Sequence, residues 1–363
     1  ENLQAFWHNI VQGVDAITEV PSHRWEPDFY DPNDPAPDRF YARRGGFIDA
    51  YATFDAMRFG IMPVAAEGAE PDQLLALQVA ADALEDAGIQ PERDGLQNTA
   101  VILGRGNYVG AGMTRLMQHV RTAQQLVTAL DTLIPGLTQQ QLSAVKHEFQ
   151  SKLGSYGPDT AIGLVPNLTA SRISNRLNLH GPTYTVDAAC ASALIAVDSA
   201  CRELRSGRVE LALAGGVHLS HDVAFWSVFC QLGALSRSEM IRPFHTEADG
   251  LLIGEGLGIV ALERLSDAKR HGRRIYAVID GVGVSSDGRD VSIMQPRPEG
   301  QLLALKRAWE DAGIPREMIG LLEAHGTGTK AGDEAELQTL RSFFGEAEAG
   351  SARATLGSVK SMI

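Results

Sequence analysis

Three observations predict an α/β protein. Short β-rich runs alternate with helical stretches along most of the chain. The stretch Gly181 to Gly216 reads in full as strand, sharp turn, helix and second strand. At 363 residues and 44% hydrophobic content, the chain can bury a large core, in one large domain or two to three smaller ones.

The stretch from Gly181 organises the rest. Thr183 to Val186 is rich in β-formers, and after Asp187 the small residues Ala188, Ala189, Ala191 and Ser192 surround Cys190. Leu194, Val197, Cys201 and Leu204 recur at helical spacing and predict one apolar stripe, with Gly207 placed as a C-cap glycine. Cys190 is thereby set at a helix N-terminus, where free amides and the positive end of the macrodipole favour a thiolate. A cysteine taken alone is more often a buried structural residue, so its partners elsewhere must decide.

Composition excludes several classes. Three cysteines with no CxxC pair argue against a disulfide framework or a zinc site, suit a reducing compartment and make the cytoplasm the default location. A net charge of −13 and a pI near 5.2 argue against nucleic acid as partner, because phosphate binding needs a basic face. No apolar run reaches the length of a membrane span, and ENLQAFWHNI has neither the basic start nor the apolar centre of a signal peptide.

Taken in order, residues 1 to 10 predict a helix without a cap, already mid-pattern, so an upstream strand is expected to be missing. Residues 20 to 46 hold five of the sixteen prolines and predict an irregular surface segment. Gln73 to Ala87 predicts a helix with Leu74, Leu77, Ala81 and Leu84 inward, closed by Gly88; Thr99 to Leu103 predicts a buried strand. Across an insertion at about 111–160, Arg115 to Leu133 and Thr138 to Leu153 predict a helical hairpin, the second helix opening on a Thr cap. Asn167 to Leu177 is a further helix. The apolar run Phe225 to Leu235 reads as core rather than pocket lining. GEGLG at 254–258 lacks dinucleotide spacing, and its glutamate would repel a pyrophosphate, so it predicts a tight turn before the strand Ile259 to Leu262. Tyr276 to Val284 predicts another strand, and Gln301 to Ala312 an amphipathic helix ending at Gly313.

The second chemical stretch is GLLEAHGTGTKAGDEAELQTL, from Gly320. A strand, Leu321 to Ala324, delivers His325 at its end, glycines turn the chain, and Asp333 with Glu336 has the spacing of a capping box. A lone histidine there is more often structural. The hydroxyls of Thr327 and Thr329 are placed to hydrogen-bond an amide-bearing substrate arm. Thr355 to Ile363, TLGSVKSMI, predicts a strand ending in Lys360.

VDAACASAL, EAHGTGTKAGDEAEL and GSVKS, in this order, resemble the β-ketoacyl synthases, the Claisen-condensing enzymes of fatty-acid and polyketide assembly, and RPFHTEADGLLIGEG supports the likeness. LQAFWHNI, the insertion and GLVPNLTASRISNRL are more similar to the condensing domains of type I polyketide and polyunsaturated-fatty-acid synthases. The resemblance implies a thiolase-like fold of two similar βαβαβ halves in α/β/α/β/α layers, acting as a homodimer. Residues 1–260 would form the N-terminal half and 261–363 the start of the C-terminal one. It implies Cys190 as acyl-accepting nucleophile, His325 as the first of two histidines assisting decarboxylation of a malonyl extender, and Lys360 and Glu336 as a supporting ion pair with Asp333 nearby. Thr327 and Thr329 would touch phosphopantetheine. No bound cofactor or metal is implied, since substrates arrive on the phosphopantetheine of an acyl carrier protein.

Departures accompany the likeness. Family members begin with a strand bearing a glycine-rich turn, and carry a Gly-His after the lysine motif and a later glycine-rich loop; none is found here, which reads as a synthase cut at both ends and inactive alone. His245 stands where aspartate is more usual. Of the rivals, a thiolase needs a second catalytic cysteine late in the chain, a cysteine hydrolase does not predict GSVKS or HGTGT, and a non-catalytic chain-length-factor-like scaffold usually lacks the nucleophile.

Overall fold

The computed structural model describes residues 2–154, 156–219, 222–289, 292, 294–345 and 354–362. Among them the strands are, in chain order, β1 (Thr18–Glu19), β2 (Arg44–Gly45), β3 (Thr99–Arg105), β4 (Thr183–Val186), β5 (Leu211–His218), β6 (Gly256–Glu263), β7 (Leu321–Glu323) and β8 (Thr355–Gly357). The chain forms two compact units: Ala52–Asp222 with Gly256–Arg274, and Glu1–Tyr51 with Val223–Glu255 and Ile275–Ile363.

The first unit is built on a four-stranded sheet of order β4-β3-β5-β6. β3 is parallel to both neighbours, and β6 runs antiparallel along β5. Both faces of β3 are covered, which explains why Thr99 to Gly104 is buried without a break. Val101 and Leu103 meet Leu74, Leu77 and Leu84 of helix Pro71–Asp86 and Ile173 of helix Leu168–Arg176. Ala100 and Ile102 face the other way, onto helix Ser192–Arg205.

That last helix corrects the predicted stripe. Its buried residues are Ser192, Ala196, Ala200 and Leu204, whereas Leu194 is 70% exposed. Small residues take the inward face because the helix lies so close to β3: a Cβ on Gly104 would stand 2.3 Å from the backbone carbon of Ser192. The helical hairpin forms, with helix Gln139–Ser151 opening on a Thr138–Gln141 capping box, but Gln118–Thr122 is a π-turn that helical spacing did not reveal.

In the second unit, residues 20–46 are irregular but only partly surface. Trp25, Phe40 and Ala42 are buried against Trp226, Phe225 and Leu235, so the Phe225 to Leu235 run is largely core, with Val228 and Leu232 exposed, and the proline-rich segment supplies three of the eight buried residues of that core. The first helix, Leu3–Gln12, is capped after all: the side chain of Asn2 accepts from the amide of Ala5. Tyr276 to Val284 is not a strand and belongs to none of the sheets among the described residues. It lies instead on helix Pro298–Ala312, close enough that a Cβ on Gly283 would meet the Ala304 carbonyl at 2.0 Å. β7 and β8 pair in parallel, and the predicted final strand stops at Gly357; Lys360 rides on a 3-10 turn, Val359–Ser361, and Ile363 lies outside the described residues.

Candidate active site

Cys190 follows the carboxyl end of β4, one residue before the Ala191 cap of helix Ser192–Arg205. The turn is wound by its own short side chains. Asp187 accepts the amide of Ala189 at 3.0 Å, the Ser192 hydroxyl accepts the amide of Ala188 at 2.8 Å, and the same hydroxyl donates to the Ala189 carbonyl at 2.7 Å. Ala189 takes φ of 49°, the left-handed region, where an L-residue costs about 1–2 kcal/mol. A strained residue beside an exposed thiol fits a presented nucleophile better than a buried structural cysteine. Cys201 is half-buried on the helix, and Cys230 is buried, its thiol pKa pushed up by that burial.

His325 follows β7, and its turn is held from outside rather than from within. Glu336 accepts the amides of His325 and Gly326 at 2.7 and 2.9 Å. Lys360 donates to the His325 carbonyl at 2.7 Å and approaches Nδ1 at 3.3 Å. Lys360 and Glu336 therefore do not pair with each other; each holds His325, the cation at its carbonyl and ring and the anion at its amide. An ammonium has only donors, so Nδ1 serves it as acceptor and the ring proton sits on Nε2. The ring is crowded by protein although the residue reaches the surface. Desolvation, then the charge of Lys360, holds its pKa below the ordinary histidine value, against the pull of Glu336 and Asp333.

The capping box is not formed. Helix Lys330–Phe344 is capped at Thr329, which places Asp333 inside its first turns. Asp333 is buried and accepts the amides of Phe244 at 2.6 Å and Gly328 at 3.1 Å, tying the RPFH loop to the HGTGT turn. The Thr327 and Thr329 hydroxyls lie 2.9 Å apart over Gly332, where a Cβ would meet both within 3 Å. At His245, Nδ1 accepts the amide of Glu247 at 3.1 Å, two residues on, as an Asp oxygen does in an Asx-turn. The tight turn predicted at GEGLG is not formed: Gly254 bridges to Gly46 and β6 begins at Gly256, and between them the carboxylate of Glu255, 1% exposed, is gripped by Arg24, which also holds Asp49.

The sequence reading missed Tyr108 and His218. Both lie just past or at the carboxyl ends of strands that neighbour one another in the thiol-bearing sheet, the edge where open α/β sheets place ligands, and counting forward from the predicted strand at Thr99 would have found the first. Among the described residues no group of carboxylates, histidines and cysteines is disposed to hold a metal, and no helix is long and apolar enough to cross a membrane.

Comparison with known proteins agrees on one family. The model of the β-ketoacyl synthase N-terminal domain matches residues 1–268, and that of the C-terminal domain matches residues 276–363. Polyketide synthase PksN of Bacillus subtilis is 35% identical over 95% of the chain, and a polyunsaturated fatty acid synthase from a Thraustochytrium species is 32% identical over 98%. The chain spans only 6% and 13% of their lengths. Among solved structures, an oxazolomycin ketosynthase domain of Streptomyces albus superposes with a TM-score of 0.82 at 33% identity, covering all of this chain and 57% of that one. A ketosynthase from module 6 of the Bacillus subtilis bacillaene synthase superposes at 0.80 and 29%, covering all of this chain and 55% of that one. The architecture is the thiolase-like α/β fold of ketosynthase domains. On these matches, which run the length of its sequence, the chain belongs to the β-ketoacyl synthase family.

Proposed function

We propose that the chain contributes to a β-ketoacyl-[acyl-carrier-protein] synthase, a decarboxylative Claisen acyltransferase of polyketide or fatty-acid assembly. The observation that carries this reading is the exposed Cys190 on its strained strand-to-helix turn, in a member of the ketosynthase family. Cys190 takes an acyl group from a carrier thioester, its sulfur displacing the carrier thiol. Loss of CO₂ from a malonyl thioester leaves an enolate, whose carbon then attacks the acyl-cysteine and expels the thiolate. His325, neutral and protonated on Nε2, is suited to donate to the enolate oxygen. Thr327 and Thr329 offer hydroxyls to the phosphopantetheine arm, and Glu336, Asp333 and Lys360 hold the histidine turn. The partners are an acyl carrier protein and a second copy joined through the edge strand β4, and the setting is the cytoplasm. Residues 1–260 and 261–363 are assigned to the two halves of the synthase.

The test compares single variants of the purified protein. Cys190→Ala should abolish acyl loading, read as adduct mass on the intact protein. His325→Ala should load yet lose decarboxylation by on the order of 10² to 10³, about 3 to 4 kcal/mol of transition-state stabilisation. A His325→Ala protein that fails to load but still releases CO₂ reverses the assigned roles. Limited iodoacetamide should label Cys190 before Cys201 or Cys230, and sedimentation should give twice the monomer mass.

A further inference from the structure

The histidine motif, EAHGTGT, opens on a carboxylate. Glu323 ends β7, two residues before His325, the spacing that sets side chains on one face of an extended chain. β8 runs parallel beside it, with Glu323 level with Gly357 and the Ala324 amide donating to the Gly357 carbonyl at 2.8 Å. The chain then passes through Ser358 into the 3-10 turn Val359–Ser361, which carries Lys360. The first amides of a helical turn have no partner inside it. Ser358, at the cap position, does not supply one: its side chain makes no capping bond and its hydroxyl is turned to the His325 carbonyl, 3.5 Å away. Glu323 does, its carboxylate accepting the amide of Val359 at 2.8 Å. One residue further on, Lys360 donates to the His325 carbonyl at 2.7 Å and stands 3.3 Å from Nδ1. Glu323 is thus joined to the imidazole by one hydrogen bond, one step of backbone and one ammonium.

We propose that Glu323 is a positioning residue for His325, its carboxylate fixing the turn that brings the Lys360 ammonium to the imidazole. This rests on the reading of His325 as donor to the enolate oxygen, and adds to it the acceptor on which the ring's charged neighbour depends. The turn needs a lone pair from Glu323 rather than a charge, because the partner is a neutral backbone amide. Glutamine offers the same oxygen; alanine offers none. Burial first, and then Lys360, lowers the His325 pKa, so a Lys360 that swings away from the ring lets that pKa climb.

The experiment follows the His325 ring by NMR through a pH titration of the isotope-labelled protein, its signal identified by loss in His325→Gln. Glu323→Ala should move the titration midpoint upward, in the direction of Lys360→Met and no further than it, while Glu323→Gln keeps the midpoint of the unmodified protein. Val359→Pro reaches the same bond from the other side: it deletes the amide, proline is tolerated at the first position of a helical turn, and Ser358, extended at φ −148° and ψ 120°, admits a proline after it. It should reproduce the Glu323→Ala midpoint, and the two changes together should shift it no more than either alone. An unmoved midpoint in Glu323→Ala overturns the proposal. A Glu323→Gln midpoint that follows the alanine assigns the effect to charge and overturns the hydrogen bond as its cause. Thermal melts accompany each variant; if Glu323→Ala fails to fold, the midpoint of Val359→Pro decides alone. Release of CO₂ from a malonyl thioester is read alongside and should fall about three- to tenfold in Glu323→Ala. A midpoint that moves as expected with CO₂ release unchanged sinks the reading of His325 as the enolate donor and leaves the positioning role standing.

Discussion

The thiol turn and the histidine turn solve one geometric problem in opposite ways. Each follows a parallel strand and leads into a helix. At Cys190 the residues are small, the hydrogen bonds that wind the turn run between Asp187 and Ser192 with one further bond from the Asn107 amide to Asp187, and the left-handed conformation falls on an alanine. At His325 the left-handed positions are Gly326 and Gly328, and the turn is clamped by Glu336, Asp333 and Lys360 from the following helix and the last turn. A self-contained turn depends on the space around it; a clamped one depends on particular charges far along the chain.

That contrast is open to direct attack. The largest effect should come from crowding the thiol turn: Gly104→Ala would drive a methyl into the Ser192 backbone, and urea unfolding should show a loss of about 3 kcal/mol, the upper part of the overpacking range. Next comes the clamp. Asp333→Ala leaves two amides unpaired in a buried place and should cost about 2–3 kcal/mol, with Asp333→Asn costing roughly half; a cost under about 0.5 kcal/mol for the alanine would dissolve the distinction. Lys360→Met should act on proton affinity. The folded His325 binds its proton more weakly than the unfolded one, so its contribution to stability is complete above the ordinary value of 6.5 and is lost as pH falls below it toward the folded value. Removing Lys360, the second of the two lowering causes, should raise the folded value, narrow that window and move the acid limb of malonyl decarboxylation to higher pH; an unmoved limb would deny Lys360 this role. The smallest effect belongs to Ala189→Gly, which relieves the left-handed strain while loosening the unfolded chain, for a net change within about 1 kcal/mol by thermal melting.

The same contrast explains what could be read in advance. The thiol turn was legible because its signals are local: β-rich residues, small neighbours, then helical spacing. Even there the stripe was assigned to the larger side chains, and the true inward face, Ser192, Ala196, Ala200 and Leu204, was set by closeness to Gly104 on a strand more than eighty residues earlier. At the histidine, strand and turn were legible, but spacing made Asp333 a helix cap, and only the fold shows that it reaches Phe244. The expected Lys360–Glu336 pair failed likewise, because opposite charges were matched with no view of the backbone groups competing for them. Tyr276 to Val284 has strand composition, yet a strand exists only where another hydrogen-bonds to it.

His245 shows what a position in a motif actually stores. The turn asks for a lone pair two residues ahead of an amide, and imidazole Nδ1 supplies it as a carboxylate would. The requirement is therefore written in acceptor geometry, so a residue that looks like a lesion by sequence is a synonym by structure as long as Nδ1 keeps its lone pair. Aspartate, asparagine and histidine spell the same turn there; lysine, with nothing to accept, does not.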